Sequence, residues 1–204
     1  MFFLMVVVGC NAQALGDMIT RTTVYETFQP ATILTTNGKV IRQRQANIFL
    51  KNSSLVYRFG TNVMEASIAQ IRSVKFPDRF YVRLDDELAW VIDTLGSNKL
   101  LCVSEIDIEA YKKQLLNEHQ ITNLELGQFV NVTGTDLSTE EKQNYPLNNT
   151  FYFDIDGKIV KAHERNVKRL ISDENQRIYK MLMRNGSFSW NDPASLMEVL
   201  KLIN

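Results

Sequence analysis

The chain has 204 residues, 45% of them hydrophobic and 23% charged, with a formal net charge of +0. That length and balance suit one good core or two small ones. The missing basic excess excludes a general nucleic-acid binder.

The charge is nevertheless unevenly spread. Residues 1–84 carry 10 basic and 4 acidic side chains, residues 85–146 carry 4 and 12, and residues 147–204 carry 9 and 7. Separate solvated faces or an internal contact explain this pattern, and a partner surface is the alternative.

The chain opens with a short apolar run over residues 2–8. Val7-Val8-Gly9-Cys10 then fits a lipoprotein cleavage box, and Ala12-Gln13-Ala14 fits the small-x-small pattern of ordinary signal peptidase. The run is shorter than the about 20 apolar residues that span a bilayer. Residues 1–14 are therefore expected to be an export signal whose basic start lies upstream of Met1. The mature protein is expected in the periplasm or anchored in the outer membrane, with Cys10 the lipidation candidate. The other cysteine, Cys102, lies in the apolar run Leu100-Leu101-Cys102-Val103 and reads as a buried strand residue. The mature chain then has no internal disulfide and relies on its core.

From Pro30 to Ser104, short apolar runs alternate with turn signals, the pattern of an antiparallel meander. Residues 33–35 lead into Asn37-Gly38, a hairpin signal whose turn positions call for positive φ. Residues 39–44 return, and residues 47–50 follow as a separate strand. A Lys51-Asn52-Ser53-Ser54 turn precedes residues 55–59, and Gly60-Thr61-Asn62 precedes residues 63–66. Ile68, Ile71 and Val74 begin as a helical turn and finish as strand before Pro77-Asp78. Residues 80–84, 88–94 and 99–104 supply three more strands, with Gly96-Ser97-Asn98 joining the last two. Asp107 caps a helix ending near Asn117. Strands closed by one helix form the element order of a pleckstrin-homology-like domain. A further strand or pair is expected over residues 124–133.

The mainly β domain is thus placed at 18–135, followed by a polar linker at 136–149 and a C-terminal unit at 150–204. That unit opens with a hairpin turning at Asp156-Gly157. Three helical patches follow. The first carries Val167, Leu170 and Ile171. The second opens at Asp173 and stops at Asn185-Gly186, a glycine C-cap. The third opens with Asp192-Pro193 and sets Leu196, Val199, Leu200 and Ile203 on one face. The fold class is α+β: an antiparallel β-meander domain, then a β-hairpin and short helices.

An export signal, a β-rich body, F-Y-F-D-I-D-G-K-I at residues 151–159, then Trp190-Asn191-Asp192 and the helix at 196–203 together resemble uncharacterised secreted proteins of the Bacteroides group. The resemblance covers most of the mature chain. It implies the compartment and the architecture, and it brings no activity or ligand.

Motifs for chemistry are scarce. There is no GxSxG elbow, no GxGxxG and no GxxxxGK[ST] loop. The two histidines exclude a His-rich metal site. His119 suits a helix C-terminus and His163 a helix start, both as solvated groups. Asp154-x-Asp156-Gly157 has the look of a calcium loop, but its twelfth position is Arg165, so turn chemistry explains it better. Asp85-Asp86-Glu87 reads as a polar turn tip, although packed like charges raise a carboxyl pKa. Arg42 and Arg44 project from one strand face and, with Lys39, Lys51 and Arg58, form a basic-patch candidate for lipid headgroups or an acidic glycan. Charged protection of an edge strand is the plainer reading. Trp90 is read as core and Trp190 as an anchor for the last helix.

No catalytic, cofactor-binding or metal residue is assigned. The expected function is a non-enzymatic binding or scaffolding module of the cell envelope, with an envelope protein or a glycan as partner. Membrane contact is expected only through an N-terminal lipid. The alternatives are a carboxylate-based hydrolase acting on a glycan, with two carboxyl groups roughly 5–10 Å apart, and a lipid or membrane-surface module.

Overall fold

A computed structural model of the protein describes residues 18–117 and 144–203. The fold is α+β, with an eleven-stranded sheet at its centre. The strands are β1 (Met18–Ile19), β2 (Gln29–Thr35), β3 (Val40–Phe49), β4 (Ser54–Phe59), β5 (Asn62–Glu65), β6 (Ile71–Lys75), β7 (Phe80–Leu84), β8 (Glu87–Leu95), β9 (Asn98–Ile106), β10 (Tyr145–Ile155) and β11 (Lys158–Lys161). The helices are α1 (Ile108–Asn117), α2 (Glu164–Val167), α3 (Gln176–Arg184) and α4 (Pro193–Leu200). The strands run β1-β10-β9-β8-β7-β6-β2-β3-β4-β5 across the sheet, with β11 hairpinned onto β10. Every described pairing is antiparallel.

Local chemistry sets most of the corners. Asp156 and Gly157 both take positive φ, as a two-residue hairpin turn requires. At Asn37-Gly38 only Gly38 does so. The Thr35 amide there bonds the Lys39 carbonyl and the Gly38 amide bonds the Thr35 carbonyl, which makes a three-residue loop with a glycine bulge. Asp107 caps α1 by accepting from the Ala110 amide at 2.9 Å, and Asp192 caps α4 by accepting from the Ser195 amide at 2.8 Å.

One face of the sheet holds a row of paired residues, Ile33, Val74, Tyr81, Trp90, Cys102 and Phe151, running from β2 to β10. An apolar face this wide must be covered. At the β2–β7 end the sheet covers it by curling, so that Ile33, Ile48, Leu55, Val74 and Phe76 form one core. At the β9–β10 end Leu196, Val199, Leu200 and Ile203 lie over Leu100, Phe151 and Phe153 in a second core. Trp90 packs against both. The Arg79 guanidinium lies 4.5 Å above its ring.

The curl closes through a wedge. The Leu88 amide bonds the Ser53 carbonyl (2.8 Å), the Ser53 hydroxyl bonds the Leu88 carbonyl (2.8 Å), and the Ile106 amide bonds the Leu50 carbonyl (2.7 Å). The β3–β4 turn is thereby held between the start of β8 and the end of β9. Ser53 reaches this position at φ +46°, a left-handed conformation uncommon for a residue with a side chain.

Several expectations are corrected. Residues 145–149 of the expected linker are strand, because Leu147 pairs Ile106 and Asn149 pairs Ser104 on the open side of β9. The sheet therefore continues past α1, and the C-terminal helices cover an extension of the β body. Residues 39–44 and 47–50 are parts of one strand, β3, with a register shift between them. α2 stops at Val167, and Ile171 instead bridges Ile203. α3 ends at Asn185 in extended conformation, and Gly186 is not left-handed. The export signal at 1–14, His119 and the expected strand at 124–133 lie outside the described residues.

Candidate functional site

A cavity of about 280 Å³ opens where the curled half of the sheet is incompletely filled. Ile33 from β2, Ile41 from β3, Tyr57 from β4 and Ile71 from β6 make its apolar surface, and Gln43, Glu65, Ser67 and Gln70 its polar rim. The register shift in β3 between its pairings to Ala31 and Gln29 keeps Ile41 and Gln43 turned to the same side as Ala46 and Ile48. The short 3-10 turn Ile68–Gln70 supplies the opposite lip, fixed by the Thr36 amide on the Gln70 carbonyl and by Arg83 on the Ala69 carbonyl. Among the described residues the side chains of Tyr57, Ser67 and Gln70 donate or accept no hydrogen bond. An apolar floor with a few free polar groups at its margin is the usual make-up of a ligand site.

The cavity adjoins β5, the last strand in the sheet order. The Ala66 amide bonds the Leu55 carbonyl. By the two-residue period of a strand, the amides of Met64 and Asn62 also point to β4, and those of Val63 and Glu65 point away from it. Among the described residues nothing pairs with that outer side.

On the other face of the sheet lies an acidic group. Asp85 takes φ +51° in the β7–β8 turn, and Glu87 follows at the start of β8. Burial, then Asp85 and Asp86, raise the Glu87 carboxyl above its ordinary value. Burial, then Glu87, raise Glu105 on β9. The Tyr152 phenol on β10 is raised by burial and by both glutamates. These residues border the apolar patch of Leu84, Ala89, Leu101 and Val103. The Asp85-Asp86-Glu87 tip was legible in the sequence. Glu105, a lone acid inside a strand, was not, and only the alternation along β9 hints at its face.

Most of the other residues picked out by sequence have structural partners. Arg42, Arg44 and Arg58 are exposed, and the Arg58 guanidinium lies 5.0 Å over Phe28. Asp154 accepts from Lys99 Nζ at 2.6 Å and from the Gly157 amide at 2.8 Å, so it serves the hairpin turn. Asp156 accepts from the Ser97 hydroxyl at 2.5 Å, which ties two neighbouring turns together. His163 caps α2 through Nδ1 and stacks on Trp190, which also meets Phe188 edge-on. Burial pushes the Cys102 thiol up to about 11, leaving it protonated and inert at neutral pH. Cys10 lies outside the described residues.

Among the described residues no group of three or more His, Cys, Asp and Glu side chains is placed to hold a metal ion, and no helix is long and apolar enough to cross a membrane. No protein-family model, curated protein or solved structure matches the chain.

Proposed function

We propose that this protein is exported to the cell envelope, in the periplasm or anchored through Cys10, and works there as a non-enzymatic binding module. Its ligand is an extended segment of a partner protein laid along β5. The observation that carries this reading is the adjacency of the 280 Å³ cavity to the outer side of β5, which pairs with nothing among the described residues. An added strand gains main-chain hydrogen bonds from an open edge and specificity from pockets for alternate side chains. The amides of Val63 and Glu65 offer the first, and Ile33, Ile41 and Ile71 the second. The sequence resemblance and the leader motifs support the compartment.

Photocrosslinking in cells tests the site. A photoreactive residue at Gln43 or Ser67 is expected to capture the same discrete partner, and one at exposed Arg165 is not. Val63→Pro removes an outward amide without touching the β4 ladder and is expected to abolish capture. Equal capture at Arg165, or capture untouched by Val63→Pro, counts against the reading. Cell fractionation comparing the intact chain with Cys10→Ala distinguishes the anchored form from the free one.

A second reading rests on Glu87 and Glu105. Two partly buried carboxyls, both raised above their ordinary value and Glu105 partly by Glu87, move in the direction a glycan hydrolase needs of its acid. Release of reducing ends from envelope polysaccharide, lost in both Glu87→Gln and Glu105→Gln, is the outcome that favours it. No release by the intact protein removes it.

A further inference from the structure

Residues 158–184 carry eight basic side chains and three acidic ones. Lys158, Lys161, Arg165, Lys168, Arg169, Arg177, Lys180 and Arg184 are all exposed, and none joins an ion pair among the described residues. Elsewhere Lys112 pairs with Glu109 and Lys201 with Glu198 within one helix turn, while exposed Lys39, Lys75 and Lys113 join no ion pair among the described residues. What sets the segment apart is density, with eight bases in 27 residues.

α3 adds an apolar component. Helical spacing puts Lys180, Arg184 and Arg177 on one stripe and Met181 and Ile178 beside it. Tyr179 is buried in the core below, while Met181 is 65% and Ile178 53% exposed. A single exposed apolar residue needs no explanation. Two of them one turn apart, flanked by three unpaired bases, are the composition of an interfacial helix.

We infer that the exposed face of α3 docks on an anionic lipid surface. The cations match the phosphate headgroups, and Ile178 and Met181 enter the boundary between headgroups and acyl chains. A nucleic-acid backbone accounts for the bases but gives two aliphatic side chains nothing to enter. This face lies at the opposite end of the strand order from β5, so docking leaves the cavity open to a partner.

This surface is distinct from Arg42, Arg44 and Arg58, which provide the control. The full chain carrying Cys10→Ala, so that no acyl group contributes, is floated with vesicles of phosphatidylglycerol and phosphatidylethanolamine or of phosphatidylcholine alone. Binding to the anionic vesicles only, weakening with salt, is expected. At about five-fold per base, Arg177→Ala/Lys180→Ala/Arg184→Ala together lower the partition on the order of 100-fold. Ile178→Ser/Met181→Ser is expected to lower it about ten-fold even at low salt, where the charges act most strongly. Arg42→Ala/Arg44→Ala should leave it unchanged. Alanine suits an exposed helix position, and an unchanged circular dichroism melt verifies folding of each variant. Equal flotation of the α3 triple variant overturns the inference, as does a loss confined to the Arg42/Arg44 variant. Binding to a single-stranded oligonucleotide as tight as to anionic vesicles, and indifferent to Ile178→Ser/Met181→Ser, also overturns it and assigns the face to a polyanion.

Discussion

The two halves of the sheet solve one problem in different ways. Between β2 and β7 the apolar face is covered by more of the same sheet, and Leu55 and Ile48 meet Val74 and Phe76 across the curl. Between β9 and β10 it is covered by helices, with Leu196 and Leu200 lying over Phe153. The curled half keeps a cavity lined by its own core strands, whereas the helical half packs its helices on the sheet and turns a basic surface outward. Covering a sheet with itself leaves a mouth wherever the strands run out. Covering it with short amphipathic helices leaves the helices' far sides free to carry charge.

The largest expected effects ask whether these halves are one cooperative unit. Phe153→Ala removes a fully buried ring from the helical half and is expected to cost about 3–5 kcal/mol, and Leu55→Ala in the curled half about 2–5 kcal/mol. Because Trp90 and an unbroken row of strand pairs join the halves, each variant should lower a single thermal transition. Two separate transitions in either variant would show that the halves unfold independently. Arg79→Ala tests the joint itself. Losing the cation over the indole should cost about 1 kcal/mol and change Trp90 fluorescence, and an unaltered spectrum would place Trp90 elsewhere.

Smaller effects sharpen the contrast within each half. Among the described residues the buried Tyr179 hydroxyl has no partner, so Tyr179→Phe should stabilise the protein by about 1 kcal/mol in chemical denaturation. A loss of stability would mean that the hydroxyl has a bonding role. On the sheet's outer face, Glu87 and Glu105 both hold their protons more tightly folded than unfolded. Their contribution to stability is therefore full below the ordinary carboxylate pKa and is lost as pH rises through the folded-state value. Both groups are only partly buried and solvent screens them, so Glu105→Gln should gain only about 0.3 kcal/mol at neutral pH, with no gain in acid. An equal gain at both ends of the pH range would contradict the electrostatic cause.

The features legible in the sequence are those that neighbours along the chain decide. Asp107 and Asp192 cap helices because a carboxylate there meets amides three residues on, and Asp156-Gly157 turns because both residues tolerate positive φ. The return of β10 to β9 was hidden because Pro146, Asn148 and Asn149 read as loop. Pro146 lends its carbonyl to the Asp107 amide, and Asn149 accepts from Ser104 across the ladder. The cavity was hidden for a similar reason. Ile33, Ile41, Tyr57 and Ile71 come from four strands, and none stands out until the curl brings them round one space. Arg42, Arg44 and Arg58 were conspicuous by spacing alone, whereas the unpaired state of Arg177, Lys180 and Arg184 emerges only once the ion pairs are known.

The wedge at Leu50 and Ser53 bears on the order in which the protein assembles. Its hydrogen bonds to Ile106 and Leu88 join positions far apart along the backbone, and the entropy of closing such loops must be met before any bond forms. Hairpins such as β7–β8 and β10–β11 can form early, but closure of the curl must wait until the β3–β4 turn meets β8 and β9. In a refolding time course followed by amide exchange, Leu88 and Ile106 should thus be among the last protons to become protected, with Ser53 acting as the clasp that finishes the molecule.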